Sequence, residues 1–418
     1  MNTKRFGLFA RLIITLALII VQTLTPAMPG YALPGTTTRV SVDSTGNEAN
    51  GSSFDSAISG DGNVVAFRSD ATNLVPGDTN GAYDTFVYDR QTGTTERVSV
   101  DSSGNQANMG SYGSYTIPAI NADGRFVTFN TDANNLVPGD TNGTFDIFVH
   151  DRQSGTTERI NVDSNGNQGN NGAFSSALSA DGRYVAFRSQ ASNLVPGDTN
   201  GFEDVFVRDR QNGTTERVSV DSNGNQGNFF SLFQFPAISA DGRFVIFISY
   251  ASNLVPGDAN DTWDVFLHDR QNSTTIRVNV DSNGVEANNG SSSFWASINE
   301  DGNFAAFGSD ADNLVPGDTN GQNDIFVRDI QTGTTERVSV DSNGNEANGY
   351  SDAPRLSADG RYVSFYSDAN NLVPNDTNGT TDIFVHDRQT GQTERVNIDS
   401  SGTQANSYSY GSDISADG

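Results

Sequence analysis

Cysteine is absent from all 418 residues of this chain. That excludes a disulfide framework and any thiolate-held metal. Lysine is almost as scarce: Lys4 is the only one, so every cation beyond the first few residues is arginine. Three histidines and two tryptophans complete the short supplies. Glutamate contributes only ten of the 51 acids, and aspartate the rest, against a formal net charge of -27. Such a surface repels phosphate backbones and anionic headgroups, so nucleic acid and membrane insertion are set aside as modes of action. A preference for aspartate over glutamate points to turn chemistry or to oxygen ligation of a hard cation. Apart from one N-terminal stretch there is no long apolar run, and no helical 3.6-residue pattern appears.

That stretch reads as a secretory signal. Lys4, Arg5 and Arg11 form a basic head before an apolar run over residues 12–21 that is too short to span a bilayer. Gly30, Tyr31 and Ala32 offer small residues for cleavage after Ala32. Residues 1–32 are therefore expected to be removed, and residues 33–418 to be exported, to the periplasm or the outside. Removal takes away three cations and no acid, giving -30.

What the chain has in abundance is itself. The unit SADGRYVAFRSQASNLVPGDTNGFEDVFVRDRQNGTTERVSVDSNGNQGN recurs, and its opening Asp-Gly falls at Asp61, Asp123, Asp181, Asp241, Asp301, Asp359 and Asp417, 58 to 62 residues apart. Each unit must then be one supersecondary module packed on its copies. In the third copy, alternation and β-branched or aromatic content predict strands over 183–189, 204–209 and 215–221, with a weaker one over 174–179. In the fourth copy the weak strand is expected over 235–239. Four antiparallel strands repeated radially make an all-β propeller of six complete blades. Two connections per unit are tight and two are long, and alternate connections emerge on opposite faces. The long loops therefore share one face, where a ligand is expected.

Motifs such as SADGRYVAFRS and DVFVRDRQNGTTERVS resemble the WD40-like repeat of TolB-type periplasmic propellers over roughly residues 37–418. The resemblance implies an exported binding propeller without intrinsic catalysis. At the ends, residues 37–43 match an outermost strand and residues 408–418 an innermost one. They are expected to form a split, partial seventh blade, with the chain truncated inside that repeat. A six-blade ring with loose ends is the alternative.

The richest motif is NLVPGDTNGxxD. Pro76-Gly77 fits a type II turn, and Asn375 stands in the glycine position of the sixth unit. Beyond the turn come Asp78, Asn80 and Asp84, repeated as Asp140, Asn142, Asp146; Asp198, Asn200, Asp204; Asp258, Asn260, Asp264; Asp318, Asn320, Asp324; and Asp376, Asn378, Asp382. The spacing supplies the hard oxygens and sharp turn of a calcium loop, and it resembles the later half of the calcium loop in integrin-type repeats, without that loop's first acid. A second repeated acid on the same face (Asp43, Asp101, Asp163, Asp221, Asp281, Asp341, Asp399) is the expected supplement. Asn-Gly turns and Asx caps explain the same residues without an ion. Both readings stand at this level.

His150, His268 and His386 share one repeat position with Tyr88, Arg208 and Arg328, which suits packing better than catalysis. The recurrent Asp209-Arg210 pair is expected to tie strands together. Aromatics break the repeat at Tyr112, Tyr115, Phe229, Phe230, Phe233, Phe235, Trp263, Phe294, Trp295, Tyr350, Tyr408 and Tyr410, either filling gaps between blades or offering a stacking surface to sugar or peptide. The expected function is non-catalytic binding of a protein or carbohydrate ligand on the long-loop face. The propeller portion of a glycan-acting enzyme or of a larger adhesion protein is the alternative.

Overall fold

The computed structural model describes residues 35–111, 117–231, 235–291 and 295–418. The expected signal segment, residues 1–32, and Tyr112, Tyr115, Phe233 and Phe294 lie outside the described residues. Within them, six four-stranded antiparallel sheets follow one another in strict chain order, with no helix. Blade 1 runs from Ser53–Ile58 to Thr94–Arg97, blade 2 from Ala119–Ile120 to Thr156–Arg159, and blade 3 from Ala173–Leu178 to Thr214–Arg217. Blade 4 runs from Ala237–Ile238 to Thr274–Arg277, blade 5 from Ala296–Ile298 to Thr334–Arg337, and blade 6 from Ser351–Leu356 to Gln392–Arg395.

Blade 3 shows the local logic. Its middle strands, Tyr184–Ser189 and Asp204–Asp209, lie within a residue of expectation. The outermost strand stops at Arg217, four residues before the expected Asp221. There Val220 turns back to bridge Gln226, and the Asp221 carboxylate accepts the backbone N–H groups of Asn223 and Asn225, each at 2.8 Å. An Asx turn competes with the sheet and wins. In blade 4 the weak innermost strand shrinks to Ala237–Ile238.

Each middle strand is apolar on both faces because both faces are covered. Val185 and Phe187 pack with Ile147, Val149 and Ile160 of blade 2. Ala186, between them, joins Val205, Val207 and Val218 against Val245, Phe247 and Phe266 of blade 4. A strand buried on two sides reads as a continuous apolar run, as parallel-sheet strands do. Phe187 sits directly opposite Phe206, with ring centroids 5.7 Å apart, and neither is exposed. The same stacked pair recurs in all six blades at 5.7–5.9 Å.

Two polar rings join the blades. On the outside, the Thr215 hydroxyl donates to the Val162 carbonyl of the preceding blade at 2.5 Å. Equivalent bonds link Thr95 to Val42, Thr157 to Val100, Thr275 to Val220, Thr335 to Val280 and Thr393 to Val340. The seventh link runs from Thr37, near the N-terminus, to Ile398 at 2.6 Å. On the inside, the backbone N–H of Ala122 donates to Ala180 O, Ala180 to Ala240, Ala240 to Glu300, Glu300 to Ala358, Ala358 to Ala416, and Ala416 to Gly60, at 2.9–3.2 Å. Both circuits thus have seven positions although the sheets number six. Residues 37–43 and 411–418 meet the seventh position from opposite ends without adding a strand to any sheet. Exposure marks the same place: Val396 is 40% exposed, whereas its counterparts Val98, Ile160, Val218, Val278 and Val338 are buried.

The long loops do share a face. Gln106 from one bonds Asp78 and Thr79 of the other, and Asn108 bonds Asn134 and Asn135. On the opposite face Asp209 and Arg210 do not pair with each other. Asp209 takes both Nε and Nη2 of Arg183 at 3.0 and 2.6 Å, while Arg210 reaches back to Glu158 of blade 2 at 2.7 Å and lies over the Phe126 ring. Truncation F206A removes one ring of a buried stack and leaves a cavity. The expected loss is about 3–5 kcal/mol in chemical denaturation, and a loss below ~1 kcal/mol would contradict the packing described.

Candidate functional site

The acidic loops form as the turn chemistry requires. Gly77 has φ of +75° and Asn375 of +61°, so asparagine does take the left-handed position of the type II turn. Asp261, which replaces the loop glycine in blade 4, also lies at positive φ, +52°.

Beyond the turn the predicted residues converge, with donors among them. Asp84 is fully buried and accepts from the Ser99 hydroxyl at 2.7 Å and from Gln106 Nε2 at 2.9 Å. The same Gln106 nitrogen donates to Asp78 at 2.8 Å, so one amide bridges the two carboxylates. Arg97 lies against both, at 3.4 and 3.6 Å. The Asn80 amide donates to Ala107 O and toward Asp84, and its own oxygen accepts from Ala82 N. Asn80 is therefore occupied as a turn residue. Blades 2, 3, 5 and 6 repeat the arginine between the aspartates, through Arg159, Arg217, Arg337 and Arg395. The expected supplement does not arrive: Asp101 caps its own loop by accepting Ser103 N and Asn105 N, and Asp163, Asp221 and Asp341 do likewise. The residue that does reach the pair, five positions further on, carried no sign of that role in the sequence.

That position separates the blades. It is Gln106, Gln168, Gln226 or Gln404 in four of them, but Glu286 in blade 4 and Glu346 in blade 5. Asp258, Asp264 and Glu286, and likewise Asp318, Asp324 and Glu346, have ligand oxygens within 4.8 Å of one another and could hold a metal ion. Burial, with the neighbouring Asp264 or Asp324 charge, pushes the carboxyls of Asp258 and Asp318 up to about 6.

The second candidate region is the axial tunnel. Innermost strands begin at the long-loop face and end at the tight turns, where the inner backbone hydrogen bonds run from blade to blade. A cavity of about 190 Å³ between them is lined by all six blades and Asp413. At one level the residues are Ala57, Ala119, Ala177, Ala237, Ser297, Arg355 and Asp413: five small side chains, then a cation and an acid. Arg355 lies 4.5 Å from the Trp295 ring and 4.0 Å from Asp413, and Asp413 accepts Ile58 N at 2.8 Å. Burial raises the Asp413 carboxyl, and Arg355 opposes that rise. Nearer the mouth Phe235 stacks on Trp295 at 4.2 Å and 6°. A connecting hollow of about 290 Å³ adds Asp55, Tyr366 and Tyr410. A second aromatic group, Phe202, Phe229, Phe230, Tyr250 and Trp263, fills the loops between blades 3 and 4.

Radial blades of four antiparallel strands, closed around a lined axis, decide the architecture. The chain is a β-propeller. No protein-family model and no curated protein matches it. Among solved structures, TolB from Acinetobacter baumannii is 15% identical, with 74% of this chain and 58% of that one covered and a TM-score of 0.40. This propeller thus spans under two thirds of that TolB. A structure of prolyl endopeptidases is 14% identical over 82% of this chain and 42% of that one, TM-score 0.50. An oligogalacturonate lyase from Vibrio parahaemolyticus is 12% identical over 82% and 76%, TM-score 0.46. Among the described residues no helix is long and apolar enough to cross a membrane.

The histidines take no part in either region. His150, His268 and His386 are buried, and each Nδ1 meets the hydroxyl of Thr157, Thr275 or Thr393 at 2.8–2.9 Å. That hydroxyl already spends its hydrogen on the preceding blade, so Nδ1 is the donor. Arg208 makes the same bond to Thr215. Burial lowers all three histidine pKa values below the ordinary 6.5. The unfolded chain then takes up more protons as pH falls below about 6.5, so this contribution is complete above that pH and lost beneath it. Asp258 and Asp318 act in the opposite sense, which makes a difference measurement necessary. The variant H150Y/H268Y/H386Y, with the blade 1 residue in each place, is expected to lose less stability between pH 7 and 5 than the wild type in urea titrations. Equal losses would remove the histidines from the account.

Proposed function

We propose that this chain is an exported, non-catalytic binding propeller whose ligand, a protein segment or a carbohydrate, enters the axial tunnel from the long-loop face. The observation that carries this reading is the break in repetition at the tunnel mouth. Most polar side chains recur blade by blade and are spent on their neighbours. Arg355 and Asp413 instead stand where the other five copies have alanine or serine, Phe235 and Trp295 share one position that is Asp55, Ile117, Ser175, Ala353 or Gly411 elsewhere, and all four line the cavities described. Flat aromatic faces beside one guanidinium and one carboxylate suit stacking with polar end-contacts, as in ligand sites generally. Among the described residues no serine lining these cavities is hydrogen-bonded to a histidine or a carboxylate, which favours binding over catalysis. The two terminal segments mark the seventh position of both hydrogen-bonded rings, and we read them as the outer and inner edges of a split seventh blade.

Panning a displayed heptapeptide library and a glycan array against the wild type, R355A and W295A tests the site. Selected binders are expected to weaken at least tenfold with both variants, while each variant unfolds at a wild-type temperature. Binders indifferent to both substitutions would place the ligand elsewhere. Export rests on the N-terminal pattern of residues 1–32. N-terminal sequencing of chain recovered outside the cytoplasm is expected to begin at Leu33, and an intact Met1 on that material would refute the reading.

A further inference from the structure

We infer that the loop of blade 4 is a divalent-cation site, of the calcium class, formed by Asp258, Asp264 and Glu286. The inference is independent of the tunnel ligand.

In blades 1 and 2 the glutamine amide nitrogen shows where positive charge is needed. Gln106 Nε2 lies 2.8 and 2.9 Å from two carboxylates, and Gln168 Nε2 lies 2.9 Å from each of its pair. Glu286 replaces that donor with a third acceptor. Two aspartates and an arginine leave a net single negative charge. Three carboxylates and one arginine leave two, which a single divalent cation neutralises.

The hydrogen bonding shows the same deficit. Asp264 is fully buried, and its Oδ2 has no hydrogen-bond partner. Its nearest cation, Arg277 Nε, is 3.5 Å away, too far for a hydrogen bond. Arg277 donates to Glu286 at 2.7 Å, and its Nη2 is buried without a hydrogen bond. Asp264 Oδ1 is held by Asn279 at 2.6 Å, so the carboxylate cannot swing to find a donor. A hard cation supplies what the vacated amide supplied elsewhere, using oxygen donors of the type calcium prefers. Glu286, one fifth exposed, offers the route from solvent.

Blade 5 is the internal control. It has the same three acids, but Asp324 Oδ2 accepts from Asn320 at 2.8 Å and from Arg337 at 3.2 Å. The inference is therefore confined to blade 4.

The test titrates the chain with calcium chloride by calorimetry, and with terbium by luminescence excited through Trp263, which immediately precedes Asp264. One saturable site per chain is expected, together with a rise in unfolding temperature with calcium. E286Q restores the residue native to four other blades, so it folds, and it should weaken binding at least tenfold. E346Q should leave binding unchanged. No saturable binding at millimolar calcium, binding that survives E286Q, or binding lost with E346Q would each overturn the assignment.

Discussion

Each sheet in this protein must be covered on both faces, and only its neighbours can do it. Val185 and Phe187 look toward blade 2, and Ala186 and Val207 toward blade 4, so a single blade exposes apolar surface on two sides. Closure into a ring satisfies every blade at once, because burial of apolar area is the dominant favourable term and a ring has few unpaired faces. The identical phenylalanine stack and the threonine-to-carbonyl link in each wedge follow from this. An interface used repeatedly accepts one solution repeatedly. Val396 is exposed where that rule is interrupted, beside the position served only by the terminal segments.

Acid is the second theme, and it is handled in three ways. Aspartates at the loop tips cap their own backbone. Four at the strand ends, Asp151, Asp209, Asp269 and Asp387, take bidentate arginine, which holds their carboxyls well below the usual range, at about 2 for Asp209. Those in the acidic loops are buried against an arginine and an amide, where burial outweighs the partners and raises Asp84 and Asp204. Arginine suits these roles because its planar fork serves several acceptors at once and stays charged when buried. A lysine would satisfy one carboxylate and leave the second. The near-absence of lysine is then a consequence of geometry more than of net charge.

Repetition separates architecture from function. A residue present in every wedge is accounted for by the contacts between wedges, as with the histidines, whose counterparts Arg208 and Arg328 make the same bond to the threonine hydroxyl. Departures are confined to fewer places: the tunnel mouth at Arg355 and Trp295, the aromatic group around Trp263, and the glutamates of blades 4 and 5. In blade 4 the departure leaves a buried carboxylate oxygen, Asp264 Oδ2, without a hydrogen-bond partner.

The architecture, the six blades, the shared face of the long loops and the type II turns were all readable from the chain. They depend on local period, turn residues and strand order, which sequence encodes directly. Strand ends were less readable, because the Asx loop at Asp221 takes hydrogen bonds that alternation assigns to a strand. The acidic loop was read in half. Asp78, Asn80 and Asp84 are local, but Arg97 and Gln106 reach them from strands and loops 13 to 28 residues away, and no spacing rule identifies them. The pairing of Arg355 with Asp413 and Trp295 lay further still from view, since those residues belong to three successive repeats. Sequence alone determined which wedge is built, because a wedge is held by neighbours in the chain. Only closure of the ring decided which side chains meet on the axis and in the loops, because those contacts join residues that the chain keeps apart.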